Sequence, residues 1–177
     1  LNKEDYRLAD RLQRKVQGNY SENYQPLGSL IIHYLDDDGV TPSITDYRRS
    51  LDISQAIATT TYKRDGVPFK VEYFCSAPDS VIVVHIKSEN PFTASLRLDS
   101  QLPHTTSIDD LVVLSSDGYV AYHSRPNYTD GKFFYEENRG MRFRTSVAVV
   151  DSHVRSYLDG DSLLILNTKE AIIYISN

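Results

Sequence analysis

Twenty-four aspartates and glutamates run through this chain of 177 residues and are its largest stock of acid–base groups. Hydrolysis by a carboxyl pair asks for one protonated acid and one ionised base, about 6.5–9.5 Å apart where a water must fit between them. No such pair separates out along the sequence. Many of the acids stand where the chain turns, at Asp36, Asp37, Asp38, Asp65, Asp117 and Asp159. A carboxylate there serves neighbouring backbone N–H groups. Asp36-Asp37-Asp38-Gly39 is rich in oxygen, yet it lacks the spaced ligands and distal glutamate of an EF-hand and reads as a solvated hairpin.

The five histidines, His33, His85, His104, His123 and His153, are scattered, and none stands two or four residues from another. That spacing would be needed to bring two imidazoles to one zinc ion from a single element. No metal and no cofactor are expected. Cys75 is the single cysteine, so an intrachain disulfide and a thiolate cluster are both excluded. In Tyr73-Phe74-Cys75-Ser76 it reads as a packed core thiol. Ser76 and Ser124 lack the context of a nucleophile elbow, and no glycine-rich phosphate loop is present.

Thirteen tyrosines and no tryptophan leave any ring stacking to tyrosine and phenylalanine. The densest group is Tyr119, Tyr122, Tyr128, Phe133, Phe134 and Tyr135, and His104 and His123 lie near loops. His104, Tyr122, His123, Tyr128 and Tyr135 are therefore the candidates for carbohydrate or interdomain contact.

The elements that position these groups change period once. Over residues 2–17, Leu8, Leu12 and Val16 fall at helical intervals with Ala9 beside them. A helix is expected there, capped by Asn2, ended by Gly18 and docked by its apolar stripe on the chain's own sheet. From Leu27 the period falls to two. Strands are expected over 30–35, 44–52, 56–62, 67–76, 81–87 and 92–98. Further strands are expected near 110–114, 118–123, 141–150, 153–157, 162–166 and 171–175. Asp65-Gly66, Ala77-Pro78-Asp79, Asn90-Pro91, Asp117-Gly118 and Asp159-Gly160 read as the turns. A dozen short, evenly spaced strands describe a sandwich or barrel. Alternation over 44–52 puts Tyr47, Arg49 and Leu51 on the inward face, where Arg49 would need a carboxylate or carbonyl partner. Residues 125–140 are the least regular stretch, an aromatic loop that is functional or covers the end of a core.

The net charge of −5 is spread along the chain without a basic run carrying interleaved aromatics, which excludes a nucleic-acid groove. The longest apolar runs, such as 81–84 and 163–166, are far too short to cross a bilayer. No signal segment is read at the start, and both ends look cut from something longer.

A set of short motifs recurs in a fixed order. It runs from Leu8-Ala9-Asp10 and Gln17-Gly18 through Tyr24-Gln25-Pro26-Leu27-Gly28 to Tyr47-Arg48-Arg49-Ser50-Leu51-Asp52 with Ala56. Tyr62, Asp65-Gly66-Val67 and Ser76-Ala77-Pro78-Asp79 follow. Ser100-Gln101-Leu102, Ala121-Tyr122-His123 and Gly140-Met141-Arg142-Phe143 complete it. This series resembles the N-terminal β-sandwich domain of glycoside hydrolase family 95, the inverting α-L-fucosidases and their α-L-galactosidase relatives, and looks closest to Bacteroides-type enzymes.

The resemblance implies an all-β fold, a large antiparallel β-sandwich of the galactose-mutarotase-like supersandwich type with a short N-terminal α-helix. Residues 1–23 would be the helix and its connection within the same domain, and residues 24–177 the sandwich, truncated on its N-terminal side. It places the catalytic residues on an (α/α) helical barrel absent from this chain, so none is carried over. The chain is then an accessory domain, inactive alone. Its partners are that barrel and, through a secreted or periplasmic parent enzyme, a fucosylated or galactosylated glycan. The isolated fragment would pair as a homodimer through the face the barrel leaves open. The competing reading is a free-standing carbohydrate-binding or scaffolding module.

Overall fold

The computed structural model describes residues 4–16, 22, 24–35, 40–109, 112–150, 154–156 and 161–177. Among them are one helix, α1 (Tyr6–Val16), and twelve strands. The first six strands are β1 (Ser29–Tyr34), β2 (Ile44–Asp52), β3 (Ile57–Arg64), β4 (Val67–Ser76), β5 (Val81–Asp99) and β6 (His104–Asp109). The rest are β7 (Val113–Tyr119), β8 (His123–Ser124), β9 (Phe133–Phe134), β10 (Arg142–Val149), β11 (Val154–Ser156) and β12 (Leu163–Ser176). The chain divides into two compact units, Pro26–Val120 with Met141–Asn177 and Leu1–Gln25 with Ala121–Gly140.

The larger unit is an antiparallel sheet in the order β2-β3-β4-β5-β12-β10-β7-β6, with β1 added beside β5 and β11 beside β12. Two long strands let one sheet serve as two layers. Residues 82–87 of β5 pair with 170–175 of β12, whereas 94–96 of β5 pair with 163–165 of β12. The first half of β5 also lies along β4 and the second half along β1. Between the halves, β12 shifts register on both sides of Thr168. A bulge of this kind bends a strand and increases its twist.

The sandwich closes at that bend. Phe69, Val71, Val84, Ile86, Leu114, Val147, Ala171 and Ile173 from the broad layer form one apolar cluster with residues of the narrow layer. The narrow layer contributes Phe92, Ala94, Leu96, Leu98, Leu163 and Ile165, backed by Leu30, Ile32 and Tyr34. Full burial of such a side chain contributes about 1.5–3 kcal/mol, so this cluster is what holds the two layers together. At one end Tyr34 meets Phe69 and Phe92 edge-on, and Tyr62 stacks on Phe69. The Tyr62 hydroxyl donates to that of Tyr34 at 3.3 Å. Burial, with this bond, pushes the Tyr34 phenol far above its ordinary value.

The expected all-β sandwich with one short helix is what the chain forms, and Asp65-Gly66 makes its hairpin with both residues at positive φ. Other expectations are corrected. Asn90-Pro91 is not a turn: β5 runs through it, at the crossing where residues 89–91 have no ladder partner and proline forfeits no bond. The segments expected at 162–166 and 171–175 are one strand, β12. Asp117-Gly118 lies inside β7 rather than at a turn, and β6 occupies residues where no strand was expected. A Cβ on Gly118 would fall 2.5 Å from the Pro103 carbonyl oxygen and closer still to Phe143 Cζ, so glycine is required there for close approach.

Arg49 is not inward. β2 ends the broad layer, every one of its residues is exposed, and Arg49 has no ion-pair partner among the described residues. Cys75 is exposed, not packed, because the latter part of β4 runs beyond the core cluster. The helix starts at Tyr6, and Asp5 caps it through its carboxylate, which accepts from Leu8 N at 2.9 Å. None of its residues is buried, and Leu8, Leu12 and Val16 are exposed. Asn2, Gly18, the Asp36–Gly39 turn, His153 and the Asp159-Gly160 turn lie outside the described residues.

Candidate functional site

Four of the five candidates, Tyr122, His123, Tyr128 and Tyr135, fall in the smaller unit, and His104 falls in the larger. The stretch expected to be irregular is built on a short ribbon in which His123 pairs with Phe134 and Ser124 with Phe133. Backbone bonds from Tyr122 to Phe134 and from Arg125 to Lys132 extend it. Pro126 O then accepts from Thr129 N, Gly131 N and the Thr129 hydroxyl, closing the tip.

Two aromatic rings of this ribbon, Tyr122 and Phe134, are already covered by cations. Arg139 lies 4.0 Å over the Tyr122 ring and Arg125 lies 5.0 Å over Phe134. His123 stacks on Phe134 at 5.6 Å. Each arginine is also tied to a carboxylate, Arg139 to Glu136 at 3.2 Å and Arg125 to Asp130 at 2.8 Å. Cation–π contacts of this kind contribute about 0.5–1 kcal/mol at exposed sites. They hold the guanidinium planes where a sugar face would otherwise rest. Tyr128, 79% exposed, has its ring open.

Glu22 and Gln25 hold the ribbon from the other side. One carboxylate oxygen of Glu22 accepts from Ser124 N at 2.6 Å and from the Ser124 hydroxyl at 2.7 Å, and the other meets His123 Nδ1 at 3.1 Å. The Ser124 bonds, with that from His123, hold the Glu22 carboxyl below the usual glutamate range. The order differs from that of a nucleophilic triad, in which the hydroxyl donates to the imidazole: here the Ser124 hydroxyl donates to the carboxylate. Gln25 Nε2 donates to the Tyr135 hydroxyl at 2.7 Å, and Gln25 Oε1 accepts from Ala121 N at 3.3 Å. In the larger unit, His104 Nδ1 donates to the Leu102 carbonyl at 2.8 Å, which makes Nε2 the acceptor nitrogen of the neutral ring.

Carboxylates approach one another at two further places, both on strands of the broad layer. Arg144 Nη2 lies 3.2 Å from Asp109 and 3.2 Å from Asp117. His85 reaches Glu170 at 2.6 Å through Nε2 and Glu72 at 3.7 Å through Nδ1, and Lys87 adds a contact to Glu170 at 3.1 Å. Hydrogen bonds from His85 and Lys87 hold Glu170 below the usual range, so it stays ionised near neutral pH. A general acid needs the opposite shift. In both, a cation lies against the acids, Arg144 in the first and Lys87 in the second. Sequence reading missed them because strand register brings Glu72, His85 and Glu170 together across 98 positions of chain (170 − 72).

The acids described above serve the ribbon's tethers and ion pairs of the broad layer. The whole chain, residues 1–177, matches the family described as "Glycosyl hydrolase family 65, N-terminal domain", and it belongs to that family. Over 106 residues it is 32% identical to "Alpha-L-fucosidase 2" of Arabidopsis thaliana, a match that takes in 59% of this chain. The matched stretch spans 12% of that relative's length. The chain is thus an N-terminal sandwich domain of the glycoside hydrolase type.

Proposed function

We propose that this domain is the accessory N-terminal sandwich of a glycoside hydrolase of the family 95 type, resembling an inverting α-L-fucosidase. It supports a catalytic helical barrel that carries the acid and base and acts on a fucosylated or galactosylated glycan. The observation that carries this reading is the match to a small fraction of a much longer fucosidase, joined to a family described as an N-terminal domain. The ion-paired surroundings of Glu170 agree with it, since bonds from His85 and Lys87 hold that carboxyl away from the protonated form such a pair needs. The parent enzyme is, on this reading, secreted or periplasmic.

Of the five candidate residues, Tyr128 is the one we assign to glycan or interdomain contact. Tyr122, His123, Tyr135 and His104 act by holding loops. A free-standing carbohydrate-binding module is the weaker reading, because arginines cover the best-placed rings. The test is fucose release from a fucosyl-lactose substrate. Residues 1–177 alone are expected to release none while the intact parent enzyme turns over. Turnover by the isolated chain comparable to the intact enzyme overturns the proposal, and micromolar binding of fucosylated glycans to the isolated chain replaces it with the module.

A further inference from the structure

The broad layer carries an apolar band on the face opposite the core. Val84, Ile86, Ala171, Ile173, Val147 and Leu114 point into the sandwich, so their strand neighbours point away from it. At matched register those neighbours are Phe74 beside Val83, Val83 beside Tyr174, Tyr174 beside Ala148 and Ala148 beside Val113. Five strands are crossed, a length of about 19 Å at the usual spacing. Ile172 and Val150, joined by a backbone bond of 3.1 Å, widen the band by a second row. An antiparallel sheet that faces water on one side alternates apolar and polar residues, with the polar ones outward. Here the outward row is apolar.

The floor and the rim tell what such a band is for. Val83 is 4% exposed although it lies on the outer face, whereas Phe74 and Tyr174 on either side of it are more than a third exposed. The two rings wall a depression of about 500 Å³ over Val83, open to several side chains of a packing partner. One flank of the band is a polar rim that is already satisfied: Lys70 with Glu72 at 2.7 Å, and His85 and Lys87 with Glu170. Two acids and two lysines neutralise each other there. An apolar centre with a polar rim is the anatomy of a protein interface. A rim that balances its own charge asks its partner for apolar side chains, not for counter-charges.

We infer that this face, centred on Phe74, Val83 and Tyr174, is where the domain docks against an apolar segment of the parent hydrolase outside residues 1–177. The inference rests on the accessory-domain reading above and adds the surface that does the holding. The family's description as an N-terminal domain and the 12% share of the relative's length say that further polypeptide exists to cover it in such enzymes.

Hydroxyl-radical footprinting with peptide mass spectrometry tests it on the isolated chain and on the intact hydrolase. Phe74 and Tyr174 are expected to oxidise about fivefold more slowly in the intact enzyme, because an interface centre excludes water. Tyr47, exposed on β2 outside the band, serves as the internal reference. A Phe74→Ser substitution is expected to lower the melting temperature of the intact enzyme by more than that of the isolated chain, and equal falls count against the inference. Equal oxidation in both forms overturns the inference. So does a sedimenting dimer of the isolated chain that protects the same rings, which would make a second copy the occupant. Fucosidase activity is scored separately. Protection without activity keeps the docking face and removes the fucosidase reading; activity without protection does the reverse.

Discussion

Replacing Gly118 by alanine adds one methyl group at a place where a strand, a ring and a carbonyl meet. The added Cβ would lie 2.5 Å from Pro103 O, 2.8 Å from Phe143 Cε1 and nearer still to Phe143 Cζ. The carbonyl is held close to the strand, because Tyr119 N, the next residue's amide, donates to it at 3.2 Å. Gly118 does not have positive φ, so backbone conformation alone would favour alanine by about 0.5–1 kcal/mol. Overpacking costs about 1–3 kcal/mol, and with backbone on one side the upper half of that range applies. A net loss of about 2 kcal/mol is expected, a fall of roughly 4–8 °C in melting temperature for a domain of this size. Urea unfolding followed by circular dichroism and tyrosine emission measures it, since the chain has no tryptophan. Combining Gly118→Ala with Phe143→Ala removes the ring contacts and leaves the carbonyl, so the pair should couple by about 1 kcal/mol. An alanine variant as stable as the parent, or a cycle with no coupling, refutes the close-approach argument.

Leu96→Ala, at a fully buried position in the narrow layer, is expected to cost about 2–5 kcal/mol, whereas Leu51→Ala on β2, 65% exposed, should stay within about 0.5 kcal/mol. Denaturant midpoints at unchanged slope compare the two. Glu22 is held below its ordinary pKa by Ser124 and His123; such a group stabilises the fold above its unfolded pKa and loses that contribution as pH falls through the folded one. The gap in melting temperature between the parent and Glu22→Gln should therefore narrow as pH falls from 7 towards 3, and a constant gap contradicts it. Tyr34 is displaced upward by burial and its bond with Tyr62. Its contribution is complete below the unfolded tyrosine pKa of about 10 and is lost as pH rises above it. Tyr62 is displaced upward by burial as well, so phenolate absorbance of the folded chain at pH 11–12 should fall short of the value reached on unfolding, and equal values contradict it.

Much of the fold was legible because burial leaves a periodic trace. The alternation in β4 and the first half of β5 marks Val71, Val84 and Ile86 as inward, and Asp65-Gly66 marks its hairpin through the only conformations that turn allows. The candidate site was legible only as a list of aromatic residues. That Arg139 covers Tyr122, or that Glu22 takes three bonds from His123 and Ser124, depends on segments far apart in the chain.

Where the reading failed, a local signal was overruled by neighbours. Asn90-Pro91 and Asp117-Gly118 have turn composition, yet one lies where a strand passes between layers and the other where a ring needs room. Arg49 shares alternation with Tyr47 and Leu51, but alternation says only that two faces differ. Which face is covered, or whether either is, depends on the strand's place in the sheet. The sequence by itself determined the all-β class, the Asp65-Gly66 hairpin and membership of a hydrolase domain family, since these follow from local conformational preference and inherited residue order. Only the tertiary structure decided that β2 is bare, that Cys75 is exposed and that an apolar band crosses the outer face. Those are properties of register and layer overlap, which residues distant in sequence set together.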